Sequence, residues 1–268
     1  MFNINGKVAV ITGGYGVLGA SMAQCLAERG AHVVIIGRKP EKGEALAEKL
    51  STSGNESIFC QADVLDRNAL IQARETIVAK WGHIDILINA AGGNMPGATI
   101  MPDKSFLDID FSAFEGVMNL NLMGTVIPTV VFGEQMAKQK YGSIINISSM
   151  TAQSVVTRVV GYSASKAAID NFTRWMAVEM AKKVGEGIRV NAIAPGFFIT
   201  EQNRTLMTNP DGSLSERAKD VVRATPFGRL GNPEELHGAV IFYASDASKF
   251  VSGTILPVDG GFNIFSGV

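Results

Sequence analysis

Tyr162 and Lys166 lie four residues apart in GYSASKAAIDNFTRWMAVEMAKK, a strongly helical stretch, so they share one face about one turn apart. A phenol in water ionises near pH 10 and is a poor acid at neutral pH. A lysine ammonium held nearby, together with a cationic ring, would favour the phenolate and bring it toward the working range. Ser149 ends the run GSIINISS, thirteen residues before the tyrosine. Its hydroxyl could steady a carbonyl oxygen while Tyr162 supplies the proton. Alone, such a pair is as readily a surface contact and such a serine a strand-end cap. Proton transfer therefore needs corroboration from elsewhere in the chain.

The stretch ITGGYGVLGA (11–20) offers it, placed behind the apolar run KVAVI and ahead of SMAQCLAERG. A strand, a glycine-rich turn and a helix N-terminus make an anion site, because unpaired amides point outward and the helix dipole favours a negative pyrophosphate. Thr12, Gly13 and Gly19 fit a dinucleotide loop of the form Thr-Gly-x-x-x-Gly-x-Gly, but Val17 stands where a middle glycine is expected. A β-branched residue restricts the backbone there. The expectation is that Gly14 and Gly16 restore the freedom one residue earlier and that Val17 opens the helix.

These groups need a frame, and the hydropathy pattern supplies one. Strand-like runs occur at 7–11, 32–36, 57–61, 85–89, 142–148, 188–194 and 254–258, several apolar on successive residues as strands covered on both faces are. Helical patterns lie between them, two closing on Gly30 and Gly82. The alternation predicts one domain, residues 1–268, of α/β class: a seven-stranded, doubly wound parallel sheet flanked by helices. Residues 201–225 interrupt it with a polar, turn-rich insertion after a strand's carboxyl end, where a lid over a ligand would sit.

Composition narrows the class. The chain has 268 residues, 46% of them hydrophobic, and a net charge of −1; its mean hydropathy is +0.18. No basic block suggests nucleic acid, and no apolar run reads as membrane-crossing. Cys25 and Cys60 lack metal spacing and read as structural thiols in a reducing, cytoplasmic setting. His32, His83 and His237 show no ligand spacing, so no metal is expected.

With Ala62-Asp63-Val64, Asn89-Ala90-Ala91-Gly92, Asn121 in NLNLMG, NAIAPG (191–196), Thr200 and Asp259-Gly260-Gly261 added to the loop and the Ser–Tyr–Lys set, the chain resembles the short-chain dehydrogenase/reductase family over essentially its whole length. The resemblance implies a tetrad in which Asn121 holds a water linking Lys166 to solvent, Ser149 orients a carbonyl and Tyr162 is the acid/base. Lys166 also grips the nicotinamide ribose. It further implies that Gly13, Tyr15, Gly16, Val17, Leu18 and Gly19 meet the dinucleotide, and that Asp63 and Val64 border its adenine. Asn89, Ala90 and Gly92 would flank the cofactor, with Pro195, Gly196 and Thr200 at its nicotinamide end. A homotetramer is implied too, and 232–250 carries apolar residues on a face that one domain need not cover.

Cofactor and substrate follow from smaller signals. The second strand closes on Gly37 instead of an acid, followed by Arg38 and Lys39 with no carboxylate opposing them. An arginine fork suits a 2′-phosphate, so NADP(H) is expected over NAD(H), with Arg38 stacked on adenine as the arrangement that would admit NAD(H). The loop GGYGVLG, AGGN (91–94), APGFFITEQNR (194–204) and DGGFNIFSGV (259–268) resemble the D-mannonate oxidoreductase (fructuronate reductase) branch of the family. A keto sugar acid needs a cation for its carboxylate and polar groups for its alcohols. Arg158 and Arg204 are the expected cations, and Asn94, Gln202 and Asn203 the polar partners. A gluconate 5-dehydrogenase or 3-oxoacyl reductase of the same family, or a dinucleotide sensor without turnover, are the competing expectations.

Overall fold

The computed structural model describes residues 1–51, 54–201 and 203–267. Its strands are β1 (Val8–Thr12), β2 (His32–Gly37), β3 (Ser57–Gln61), β4 (Ile86–Asn89), β5 (Gly142–Ile147), β6 (Ile188–Pro195) and β7 (Ile255–Val258). They form one parallel sheet in the order β3-β2-β1-β4-β5-β6-β7. Each lies within one residue of the run that predicts it. The helices are α1 (Val17–Glu28), α2 (Pro40–Leu50), α3 (Arg67–Trp81), α4 (Phe111–Met118), α5 (Gly124–Gln139), α6 (Val160–Lys183), α7 (Arg204–Met207), α8 (Glu216–Ala224) and α9 (His237–Ala244).

Successive strand side chains point to opposite faces, so runs apolar at every position feed two cores. Ile11, Val33, Ile35, Ile88 and Ile145 pack with Met22 and Leu26 of α1 and Val240 and Tyr243 of α9. On the other face Val10, Val34, Leu87 and Ile144 meet Leu70 of α3 and Phe132 and Met136 of α5. Gly82 caps α3 in the left-handed conformation, and Gly30 takes the same conformation just past α1, as their positions predict.

Two expectations are corrected. The helical run Phe111–Gln139 is long and apolar enough to cross a membrane by length and composition, where no membrane-crossing run is expected from the sequence. Half of its apolar window is buried, and packing of Val131, Phe132 and Met136 on the sheet accounts for that character. The apolar face expected at 232–250 is covered by the chain itself where it is helical: Val240, Ile241, Tyr243 and Ala244 of α9 are all buried. Phe250 in the same segment is fully exposed, as are large parts of Trp175 and Val178 on α6.

The described residues 203–225 of the 201–225 insertion form structure of their own and not a bare loop. α7 and α8 flank an antiparallel bridge between Thr208 and Leu214. Met207, Ala218 and Val221 form a small core of their own against Phe197, Leu214, Leu230 and Phe262.

The strand order reverses between β1 and β4, opening a crevice at their carboxyl ends. The glycine turn sits there. Gly13 is its one left-handed residue, with φ of 64°. Gly16 is the N-cap of α1 in an extended conformation and Val17 is the first helical residue, so position 17 needs no glycine freedom. Val17 opens the helix as expected, but Gly14 and Gly16 supply no left-handed turn. Gly19 is required for a different reason, close packing: a Cβ there would stand 2.4 Å from the Gly13 carbonyl oxygen, against 3.3 Å for one on Gly16. Gly19→Ala should therefore cost about 1–3 kcal/mol in thermal or denaturant unfolding by overpacking the turn, while Gly16→Ala costs under about 1 kcal/mol. Equal stabilities of the two variants would contradict this packing.

Candidate active site

Ser149, at the carboxyl end of β5, caps a 3₁₀ turn (Met150–Ala152), accepting from the amide of Thr151 at 3.2 Å. Its hydroxyl stands beside that of Tyr162, in the first turn of α6, where it favours the phenolate. One turn further on, the Lys166 ammonium donates to the Ile147 carbonyl at 2.7 Å and stands 5.5 Å from the centre of the Tyr162 ring. The structure thus brings Ser149, Tyr162 and Lys166 together.

Burial works against both charged forms. It pushes the Tyr162 phenol up from its ordinary 10, with the Ser149 hydroxyl pulling the other way. Burial brings the Lys166 ammonium down to about 8, opposed by the negative charge of Asp170. The lysine, only 5% exposed, thus still carries its charge at pH 7 and loses it near 8. Tyr162 keeps its proton at neutral pH.

Asn121 is fully buried in a π-helical turn (Asn119–Met123) between α4 and α5, a distortion common at functional sites. Its Oδ1 accepts from the Gly93 amide at 3.0 Å, and its Nδ2 donates to the carbonyls of Gly93 (2.7 Å) and Val117 (2.8 Å). The side chain therefore clamps the loop after β4. A Cβ on Gly92 would meet Asn121 Oδ1 at 2.6 Å and Lys166 Nζ at 3.5 Å, so this loop presses on both.

A buried polar chain runs beneath. Thr125 Oγ1 donates to the Asn121 carbonyl (2.9 Å) and Thr129 Oγ1 to the Thr125 carbonyl (2.7 Å). Asn89 Nδ2 donates to Thr129 Oγ1 and Asn146 Oδ1, and Asn146 Nδ2 to Thr173 Oγ1, all at 2.9 Å. These bonds tie α5, β4, β5 and α6 together under the site.

The crevice fits a dinucleotide by two observations. Asn89 Oδ1 is buried with no partner among the described residues, an acceptor at the end of β4. At Gly13 a Cβ would fall 2.8 Å from Ala91 Cα, so only bare backbone lines that wall; Thr12 Oγ1 pins it by accepting from the amides of Ala90 (3.1 Å) and Ala91 (3.2 Å). Leu18, Ala90, Gly92, Pro195, Gly196 and Thr200 line a cavity of roughly 360 Å³ with Ser149, Tyr162 and Lys166. Gly16 and Val17 lie on the rim of the turn, while Val64 is buried against Gly124.

At the end of β2, the Tyr15 ring lies over Gly37, where a Cβ would come within 2.2 Å of it. Its hydroxyl accepts from the amides of Arg38 (3.0 Å) and Lys39 (3.2 Å). The guanidinium of Arg38 is exposed and stands 3.7 Å from the Asp63 carboxylate, which corrects the expectation that no acid opposes it. Sequence separation hid this partner, which parallel pairing of β2 and β3 brings alongside.

The expected substrate residues divide. Asn94 lines the cavity; its Nδ2 donates to Thr99 Oγ1 at 2.7 Å and its buried Oδ1 has no partner among the described residues. Asn203 also lines it, but its Oδ1 accepts from the Thr200 amide and its Nδ2 donates to the Phe198 carbonyl. Arg204 is exposed and absent from the lining, to which Asn203, Thr205, Leu206 and Met207 contribute; adjacent helical positions face different ways. Arg158 is half-buried beside the cavity, and Gln202 lies outside the described residues. Three groups escaped the sequence reading. Asp170, buried and accepting from Ser148 Oγ, sits at the same i+4 spacing from Lys166 that links Lys166 to Tyr162. Thr151 Oγ1 is a second buried, unpartnered atom in the lining, and Arg217 lines it from α8; nothing in the sequence distinguishes Arg217 from its neighbouring arginines. Among the described residues no group of three or more His, Cys, Asp or Glu side chains is placed to hold a metal.

Comparison with known proteins agrees with this geometry. Residues 16–263 match the family model described as enoyl-(acyl carrier protein) reductase. An uncharacterised oxidoreductase, UxuB, of Bacillus subtilis is 45% identical over 99% of this chain and 98% of its own. The 2-dehydro-3-deoxy-D-gluconate 5-dehydrogenase of Dickeya dadantii is 36% identical over 97% of both. A crystal structure from Haemophilus influenzae, provisionally named a D-mannonate oxidoreductase and holding NAD, superposes with a TM-score of 0.91 at 41% identity, covering 99% of this chain and 98% of that one. A gluconate 5-dehydrogenase from Burkholderia cenocepacia, in complex with NADP and tartrate, gives 0.83 at 34% identity over 97% and 96%. The chain belongs to the short-chain dehydrogenase/reductase family, as an NAD(P)-dependent oxidoreductase acting on alcohol and keto groups.

Proposed function

We propose that this enzyme reduces the ketone of an open-chain keto sugar acid, of the D-fructuronate to D-mannonate type. The observation that carries the reading is the pair of orphaned buried atoms, Asn94 Oδ1 and Thr151 Oγ1, in the lining that holds Ser149 and Tyr162. Such atoms are costly unless a ligand meets them, and a polyol does so where an acyl chain does not. The relatives include enzymes named for sugar acids, and one of them binds tartrate, a hydroxy acid.

A bound nicotinamide would supply the hydride. The glycine turn, Asn89 and the 90–92 loop would hold the dinucleotide, with Lys166 at its ribose and Pro195 to Thr200 beside its ring. Ser149 orients the carbonyl oxygen by donating a hydrogen bond, and Tyr162, protonated at neutral pH, gives its proton to that oxygen as negative charge develops on it. Lys166 and Asn121 position the tyrosine and the loop over it. The 201–225 segment closes over the substrate. NADP(H) is favoured over NAD(H), because β2 ends in Gly37 with the exposed Arg38 next to it; the long contact to Asp63 is exchanged for the phosphate. Exposed Phe250, Trp175 and Val178 support a homotetramer, and the buried free thiols Cys25 and Cys60 support a cytoplasmic setting.

A panel of fructuronate, tagaturonate, 5-ketogluconate and a short 3-oxoester, with each reduced cofactor, should give the highest kcat/KM for fructuronate with NADPH. Turnover led by the 3-oxoester would overturn the reading, as would a strong NADH preference for the cofactor. Tyr162→Phe should lower kcat by about 10²–10⁴-fold with dinucleotide binding retained.

The rate of reduction should fall as pH rises through about 8, where Lys166 loses its charge, and oxidation of the alcohol should rise over the same interval. The folded protein holds the Lys166 proton less tightly than the unfolded chain, whose lysines ionise near 10.5. The buried charge therefore costs stability below pH 8, a cost relieved between 8 and 10.5. Lys166→Met should accordingly melt at or above the wild-type temperature at pH 7 while losing activity; a clearly lower melting temperature would refute the assigned cost.

A further inference from the structure

Two arginines stand together beside the cavity with no ion pair of their own among the described residues. The ion-paired arginines among the described residues are Arg38, Arg74, Arg223 and Arg229, and neither Arg158 nor Arg217 is one of them. Arg217, half-buried on α8, lines the cavity that contains Ser149 and Tyr162. Its Nη2 donates to the Thr157 carbonyl at 3.1 Å and its Nη1 to Thr157 Oγ1 at 3.4 Å, contacts with neutral groups. Burial, and next the positive charge of Arg158, make the Arg217 proton easier to lose, with Asp220 acting in the opposite sense. The Asp220 carboxylate is itself bonded to Arg223. The turn that holds Arg217 also carries strain. Arg158 is left-handed, at φ of 77°, a conformation unusual for a residue with a side chain; its carbonyl accepts from the Ile100 amide at 2.9 Å. That turn both offers Thr157 to Arg217 and places Arg158 beside it.

Like charges brought together in a partly desolvated place repel, and an anion between them removes the cost. A guanidinium fork presents the geometry of a carboxylate. We propose that Arg217, backed by Arg158, holds the carboxylate of the substrate, and that the 201–225 segment reads the substrate through this residue and not through Arg204. The inference rests on the keto sugar acid reading. It assigns the substrate class as polyhydroxy acids whose ketone is remote from the carboxylate: Tyr162 and Ser149 take the carbonyl, Asn94 Oδ1 and Thr151 Oγ1 meet intervening hydroxyls, and Arg217 takes the acid.

The test compares kcat/KM for a keto sugar acid and for an uncharged ketose of the same chain length in wild type, Arg217→Ala, Arg217→Lys and Arg158→Ala. Arg217→Ala should lower the value for the acid by about 10–100-fold, mainly through KM, and leave that for the ketose within about twofold, so that the acid-to-ketose ratio collapses. Arg217→Lys should retain part of the ratio and Arg158→Ala should reduce it less than Arg217→Ala does. Turnover of the ketose reports that each variant is folded; should Arg217→Ala fail to fold, the ratio in Arg217→Lys and Arg158→Ala decides. A wild-type preference for the acid that survives in the variants overturns the role of Arg217 and leaves the keto acid reading standing. No preference in the wild type overturns the reading, and this inference with it.

Discussion

An ammonium taken out of water at the end of β5 is the constraint around which the site is built. Lys166 is held by one carbonyl, that of Ile147, with Asp170 one turn along the same helix and Tyr162 one turn back. Burying a cation is unfavourable unless neighbours compensate it, and here they compensate incompletely, which is why its proton is loosened to about 8. The same enclosure raises the phenol. The two groups thus sit further apart in acidity than they would in water, with the ammonium the stronger acid. A phenol that has given its proton to a substrate can therefore be reprotonated from the lysine, as repeated carbonyl reduction needs.

Holding that pair in place requires rigidity that apolar packing alone does not give. The hydroxyl and amide chain from Asn121 through Thr125, Thr129, Asn89 and Asn146 to Thr173 crosses from α5 to α6 through two central strands. It is buried throughout, so each bond lost would leave a group unpaired. Asn121 joins this chain through its backbone and clamps Gly93 through its side chain, which links the cofactor loop to the helix carrying Tyr162. Thr12 pins the same loop to the glycine turn.

Much of this was legible in the sequence where local physics decides it. Apolar runs marked all seven strands, because two-sided burial leaves no polar alternation, and Gly30 and Gly82 marked helix ends through their left-handed φ. The i+4 spacing put Tyr162 and Lys166 on one face. What escaped depends on the third dimension. Asp63 reaches Arg38 across two parallel strands, Tyr15 covers Gly37 from another turn, and Arg217 enters the cavity while Arg204 stays outside. The segment 201–225 looked unstructured because its helices are short, polar and held by a core of three buried side chains. The desolvation of Tyr162 and Lys166 was not legible for a related reason: it depends on burial, which residue types and spacing do not carry.

Direct observation of the Tyr162 phenol tests the central claim, that this group keeps its proton through neutral pH and can donate it. With the four tyrosines labelled at Cζ and Tyr162 identified by its absence from the spectrum of the Phe variant, carbon-13 chemical shifts can be followed against pH in the protein free of ligands. The account predicts a Tyr162 resonance that stays at the protonated position past pH 9 and moves only above its ordinary value of 10, with a smaller perturbation near 8 as Lys166 titrates. A resonance already at the phenolate position at pH 7 would contradict it.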